Sequence, residues 1–127
     1  MRIQFSHDEV PEPKLLEDGA EVTVRIARCL EKKDKNGRDY LSLILEVTDD
    51  PEAEDIFHMV YVPHPDESSK QARRTLKNLG DMIRAFGMPE EFDTADLIGE
   101  EAQAVIGLRS DEQYGDQNVI RTFVVPK

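Results

Sequence analysis

Four basic side chains, Lys32, Lys33, Lys35 and Arg38, fall within a few positions of one another, and an aromatic ring follows them at Tyr40. Phe57 and Tyr61 stand on one parity of a later apolar stretch with Met59 between them, and Tyr114 lies near the other end of the chain. Ammonium and guanidinium groups neutralise phosphates, and aromatic rings stack on unpaired bases at about 1–3 kcal/mol per base. These residue types together describe a groove for single-stranded nucleic acid. Duplex fits such a groove poorly, because its bases are already stacked and no recognition helix is evident.

The same aromatics also fit an apolar patch covered by the N-terminal arm, by a protein partner or by a second subunit, since exposed rings alone name no ligand. Other reactive groups carry less. His58, His64 and Asp66 are types that hold a transition metal, but no known spacing joins them and no cysteine partners them. The acid pairs Asp49–Asp50 and Glu100–Glu101 sit in acid-rich loops, where neighbouring carboxylates seldom converge. Cys29 falls in the middle of a strand pattern with no histidine near it in sequence. No glycine-rich phosphate loop or dinucleotide fingerprint occurs. The expectation is a protein that is not an enzyme, with no cofactor and no metal.

The elements that must position the basic and aromatic residues can be read from periodicity. In EVTVRIARCL the alternation puts Val22, Val24 and Ile26 on a buried face, and the turn DKNGRD then sends the chain back, with Asn36-Gly37 suited to positive φ. DYLSLILEV buries Leu41, Leu43, Leu45 and Val47 and turns Tyr40, Ser42, Ile44 and Glu46 outward. In IFHMVYV the β-branched set Ile56, Val60 and Val62 is the better core choice, which leaves Phe57, Met59 and Tyr61 on the other face.

After Pro63 and Pro65, Ser68 and Gln71 form a capping-box pattern. Ala72, Leu76, Leu79, Ile83 and Phe86 then recur at helical spacing as the core face, with Gly87 as the stop. Lys70, Arg73, Arg74 and Lys77 lie on that helix's polar side. A helical turn at TADLIG leads to a last hairpin, AQAVIGLR and NVIRTFVV, with its tip at Gly115-Asp116.

Strand, strand, strand, helix, strand, strand is the order of a mainly β fold with one helix. A small closed five-stranded barrel, the OB-fold, is the economical arrangement, since closure removes exposed strand edges. Its usual ligand surface is the outer face of strands two and three with the flanking 1–2 and 4–5 loops, which is where the basic loop and Tyr114 fall. The helix usually sits under the barrel, so its basic side chains rank below those of the loop. Residues 1–18 form an acidic N-terminal arm, and the barrel domain covers residues 19–127.

The chain is 127 residues long with a formal net charge of −11, a length that suits one domain and a sign that disfavours indiscriminate binding to polyanions. Its acids gather at Asp8–Glu21, Asp49–Asp55 and Glu90–Glu101, and the last two groups are expected on the side opposite the groove. One cysteine, no leader and no apolar run near 20 residues predict a cytoplasmic protein that does not cross a membrane.

The pattern GAEVTVRIARCLEKKDKNGRDYLSLILEVTD, then IFHMVYVP, then AFGMPEEFDTADLIGEEAQAVIGLRSDEQYGDQNVIRTFVVP resembles small phage- or prophage-encoded single-stranded DNA-binding proteins of the OB-fold type, over about residues 19–126. The likeness lies in the strand order, the LIGEEA approach to strand four and the terminal hairpin. It implies a role in phage DNA replication or recombination, partners among the proteins of those processes, a bacterial host cytoplasm and stacking residues at Tyr40, Phe57 and Tyr61. Many such proteins end in a flexible acidic tail, whereas this chain ends TFVVPK.

Overall fold

Alternating apolar residues make the first strand, β1, which runs over Glu21–Lys33 and buries Val22, Val24 and Ile26. The computed structural model describes residues 1–4, 6, 14–63, 69–113 and 115–126. The second strand, β2 (Asp39–Val47), buries Leu41, Leu43, Leu45 and Val47, and the third, β3 (Ile56–Tyr61), buries Ile56 and Val60. Helix α1 covers Ser69–Ala85, a short 3-10 turn covers Thr94–Leu97, and β4 (Glu101–Asp111) and β5 (Gly115–Phe123) form the last hairpin. The protein is thus mainly β, with five antiparallel strands in one sheet and one helix between strands three and four.

Strand order is β3-β2-β1-β4-β5, and the sheet curls until β3 lies against β5. No hydrogen-bonded ladder joins those two strands, so the barrel is OB-like but open along one seam, where full closure was expected. Side chains bridge part of the seam: His58 of β3 meets Phe123 of β5 edge-on at 5.3 Å, and Phe86, just past α1, meets the same ring at 5.3 Å.

Both hairpins are longer than their periodicity predicts. The β1 strand continues to Lys33, so Lys32 and Lys33 belong to the strand and only Lys35 and Arg38 to the turn. Within that turn Gly37 alone takes positive φ, at 82°. In the last hairpin Gly115 and Asp116 pair with Asp111 and Ser110, so they belong to the ladder and not, as expected, to its tip.

The helix is rotated from the expected orientation. Its buried residues are Thr75, Met82 and Ala85, followed by Phe86, while Leu76 is 61% exposed and Ala72, Leu79 and Ile83 are only half-buried. Gly87 does end it, at φ 70°: the N–H of Met88 bonds to the carbonyl of Ile83 at 3.0 Å and that of Gly87 to Arg84 at 3.1 Å, a Schellman stop. Ser68, half of the expected capping box, lies outside the described residues.

Residues before β1 are held to the barrel from Lys14 onward. Leu16 exchanges hydrogen bonds with the Asn118 side chain at 2.8 and 3.0 Å, Lys14 pairs with Asp50 at 2.6 Å, and Asp18 pairs with Arg121.

Candidate nucleic-acid interface

The outer face of β1, β2 and β3 is built by register. A bulge between Ile26 and Arg28 in β1 resets the alternation, so that Arg28, Leu30 and Lys32 point outward beside the outward residues of β2. Three rows result: Lys32, Tyr40 and Tyr61; Leu30, Ser42 and Met59; Arg28, Ile44 and Phe57. Phe57 is 71% exposed, Met59 52% and Leu30 41%, a strip of apolar surface with cations along one side.

The first row is the most ordered. Tyr40 and Tyr61 face each other across the strands with ring centroids 5.6 Å apart and planes tilted by 50°. The Arg38 guanidinium lies over the Tyr61 ring, 4.5 Å from its centroid, a cation–π geometry. Asp34 organises the turn that carries Arg38. Its carboxylate accepts the backbone N–H groups of Asn36 and Arg38, each at 2.9 Å, and the hydroxyl of Tyr61 at 3.2 Å. The Arg38 N–H bond leads, with those from Asn36 and Tyr61 behind it, in holding the Asp34 carboxyl below its usual range. Burial and the same carboxylate push the Tyr61 hydroxyl up. Tyr61 is therefore a clamped ring with one face already covered, while Tyr40 beside it is half-buried and paired with exposed Lys32.

Of the remaining expected residues, Lys33 reaches Asp39 at 3.0 Å and is exposed, and Lys35 is exposed at the turn. Phe57 stands at the far end of the face from Tyr61, and Tyr114 lies outside the described residues. Of the histidine set, His58 is turned toward the barrel seam against Phe123, its burial holding its pKa below the ordinary value, and His64 and Asp66 fall outside the described residues.

Three further residues join the face. Arg28 and Leu30 were invisible because nothing in RIARCL marks the bulge that turns them outward. Arg74 of α1 lines a crevice of about 160 Å3 with Arg38, Met59 and Tyr61, because the helix packs beside the end of β3 rather than wholly beneath the barrel. One of the helical cations therefore extends the basic end of the face.

Two of the acids, Glu54 and Asp55, do not sit where expected. Glu54 and Asp55 line a crevice of about 230 Å3 with Phe57, Arg109 and Asp116, at the opposite end of the same face. The loop before β3 delivers these acids there, because Phe57 is the second residue of the strand that follows them. The face thus runs from a basic, tyrosine-lined end to an acidic end at Phe57. In comparisons with known proteins, no family model matches the chain, and no curated protein matches it.

Proposed function

We propose that the chain binds single-stranded DNA with little sequence preference, stacking bases on the outer sheet face and neutralising phosphates with the cations around it. The observation that carries this reading is the basic end of the face: Tyr40 and Tyr61 in register, Arg38 over Tyr61, and Lys32, Lys35 and Arg74 around them. A guanidinium held over a ring by a clamped turn puts positive charge beside an aromatic surface, the two features that binding a flexible strand uses. The resemblance noted for residues 19–126 extends the proposal to DNA replication or recombination of a phage or prophage in the host cytoplasm, alongside the proteins of those processes.

A second reading has its own support. Phe57 and Met59 stand side by side on β3, with Leu30 across Ser42 in the same row as Met59, and this exposed apolar surface suits a protein partner or a second copy of the chain without any nucleic acid.

Fluorescence anisotropy separates the two. The probe is a labelled oligothymidine of about 30 nucleotides, longer than the roughly 4–16 that one such barrel covers, beside a duplex of equal length. Binding to the single strand that weakens steeply with salt is expected. Tyr40→Ala should weaken it by about 1–3 kcal/mol, roughly five- to 150-fold. Lys32→Glu with Lys35→Glu should abolish it. No binding at low salt, or affinity that survives the charge reversal, would reject the proposal in favour of the apolar strip.

A further inference from the structure

The polar side of α1 is a stripe of cations that the sheet face does not account for. Lys70, Arg73, Arg74, Lys77 and Arg84 are five of the chain's 16 basic residues, set against one helical acid, Asp81. At 3.6 residues per turn all six fall within about 100° of the helix circumference. The core takes another side of the helix, through Thr75, Met82 and Ala85, and on a third side Leu79 and Ile83 line an open groove with Tyr40 and Phe92. All five cations are exposed. Asp81 is matched by Lys77 at 2.8 Å, while Lys70, Arg73, Arg74 and Arg84 form no ion pair among the described residues. The exposed acids Glu90 and Glu91 come only after the Gly87 stop, and Asp66 and Glu67, which precede the helix, lie outside the described residues.

Position joins the stripe to the sheet. Arg74 stands at one edge of it and lines the crevice of about 160 Å3 with Arg38, Met59 and Tyr61, where no carboxylate stands among the described lining residues. We propose that the stripe is a second contact surface for single-stranded DNA: a strand stacked on the tyrosine end passes the crevice at Arg74 and lays its phosphates along α1. This path rests on single-stranded DNA occupying the sheet face.

The chemistry of the stripe identifies its occupant. A protein interface is anchored by apolar or aromatic side chains buried at its centre, and the stripe carries none: its members are five cations and Asp81. Phosphate contact needs only exposed charge, carries no base readout and follows a backbone over distance. From Lys70 to Arg84 the helix rises about 21 Å at 1.5 Å per residue, room for several successive phosphates. With no ring on the stripe, bases above it have nothing to stack on, and the affinity it adds is carried by charge alone. That share of binding is therefore more sensitive to salt than the share held by Tyr40 and Tyr61.

The test compares oligothymidines of about 6 and about 18 nucleotides, one within and one beyond the roughly 4–16 that a barrel of this kind covers. Anisotropy titrations between about 0.05 and about 0.2 M salt use the wild-type chain and a variant combining Lys70→Gln, Arg73→Gln and Arg84→Gln. The variant spares Arg74, which belongs to the face, and Lys77, which pairs with Asp81. Its three side chains are exposed and Gln is close to them in helix propensity, so the fold should survive with an unchanged melting temperature. Affinity for the longer strand should fall at least about tenfold at the lower salt, and its salt slope should drop by about 2, at about 0.7 per phosphate contact. Binding of the shorter strand should stay within about twofold, and only the longer one should shift the amides of α1.

Both strands bound equally well by wild type and variant would reject the helix path and leave the sheet face as the whole site. Equal losses for the two lengths would mean that the cations act through the general field of the molecule, and would also reject a contact along α1. Binding of the longer strand that needs the helix cations but is indifferent to Tyr40→Ala would break the continuous path. Self-association at low salt that the variant abolishes, with oligothymidine affinity unchanged, would give the stripe to the acids of a second copy. No binding of either length by the wild-type chain would reject the sheet face and the helix path together, an outcome distinct from all the others.

Discussion

His58 shows how a single side chain acquires its role from the strand opposite. It shares parity with Ile56 and Val60, so the strand turns it inward, and Phe123 of β5 meets it edge-on at 5.3 Å. Burial disfavours the imidazolium, and the pKa is lowered. The unfolded chain takes up this proton near the ordinary value of about 6.5, so between the two pKa values it binds more protons than the native protein. Stability is therefore full above that window and falls as pH drops through it. The carboxylates of Asp18, Asp34 and Asp50 are lowered too, but their contribution is lost only as pH falls from the ordinary carboxylate value of about 4 downward, beneath the histidine window. The melting temperature should fall between about pH 7.5 and about pH 5.5, and His58→Phe should flatten that slope. Any packing cost of the larger ring is independent of pH and drops out of the comparison; an unchanged slope in the variant would assign the effect to another group.

The elements divide by what specifies them. Strand parity is local, so EVTVRI, LSLILEV and IFHMVYV announced their buried faces directly, and Gly37 and Gly87 marked real turns. The β1 bulge and the helix rotation are set by tertiary fit. Alternation alone cannot show an extra residue in a strand, and an apolar ridge such as Leu76, Leu79 and Ile83 looks the same whether it meets a core or an open groove. The basic and aromatic residues were therefore legible as types, while the places of Arg28, Arg74, Glu54 and Asp55 depended on packing. Two glycines of α1 and its stop test local against tertiary control. Gly87 sits at φ 70°, where an L side chain costs about 1–2 kcal/mol, whereas Gly80 is inside the helix with open space around its Cα. Gly87→Ala should lower unfolding free energy by about 1 kcal/mol or more, and Gly80→Ala should raise it by about 0.5–1 kcal/mol, both read from urea denaturation. Equal effects of one sign would mean that the Schellman stop is not what limits the helix.

Over the whole molecule, the outer face has a direction. Tyr61 at the basic end and Phe57 at the acidic end are four residues apart on β3, about 13 Å at the rise of a strand. The Debye length is about 8 Å at physiological ionic strength and about 30 Å at 0.01 M. In moderate salt the two ends are electrostatically independent, and a net charge of −11 does not silence the cations at Lys32, Lys35, Arg38 and Arg74. In low salt Glu54 and Asp55 oppose a bound strand wherever it lies on the face. Glu54→Gln with Asp55→Asn should therefore tighten oligothymidine binding several-fold at about 0.01 M salt, with the gain fading toward about 0.15 M, if the strand occupies only the tyrosine end. Phe57→Ala should then cost less than the stacking loss of Tyr40→Ala. A gain that persists at the higher salt, together with an equal loss for Phe57→Ala, would instead carry the strand over all three rows. The path across the face then follows from two salt titrations, because only a phosphate within screening distance of Glu54 and Asp55 can report their removal.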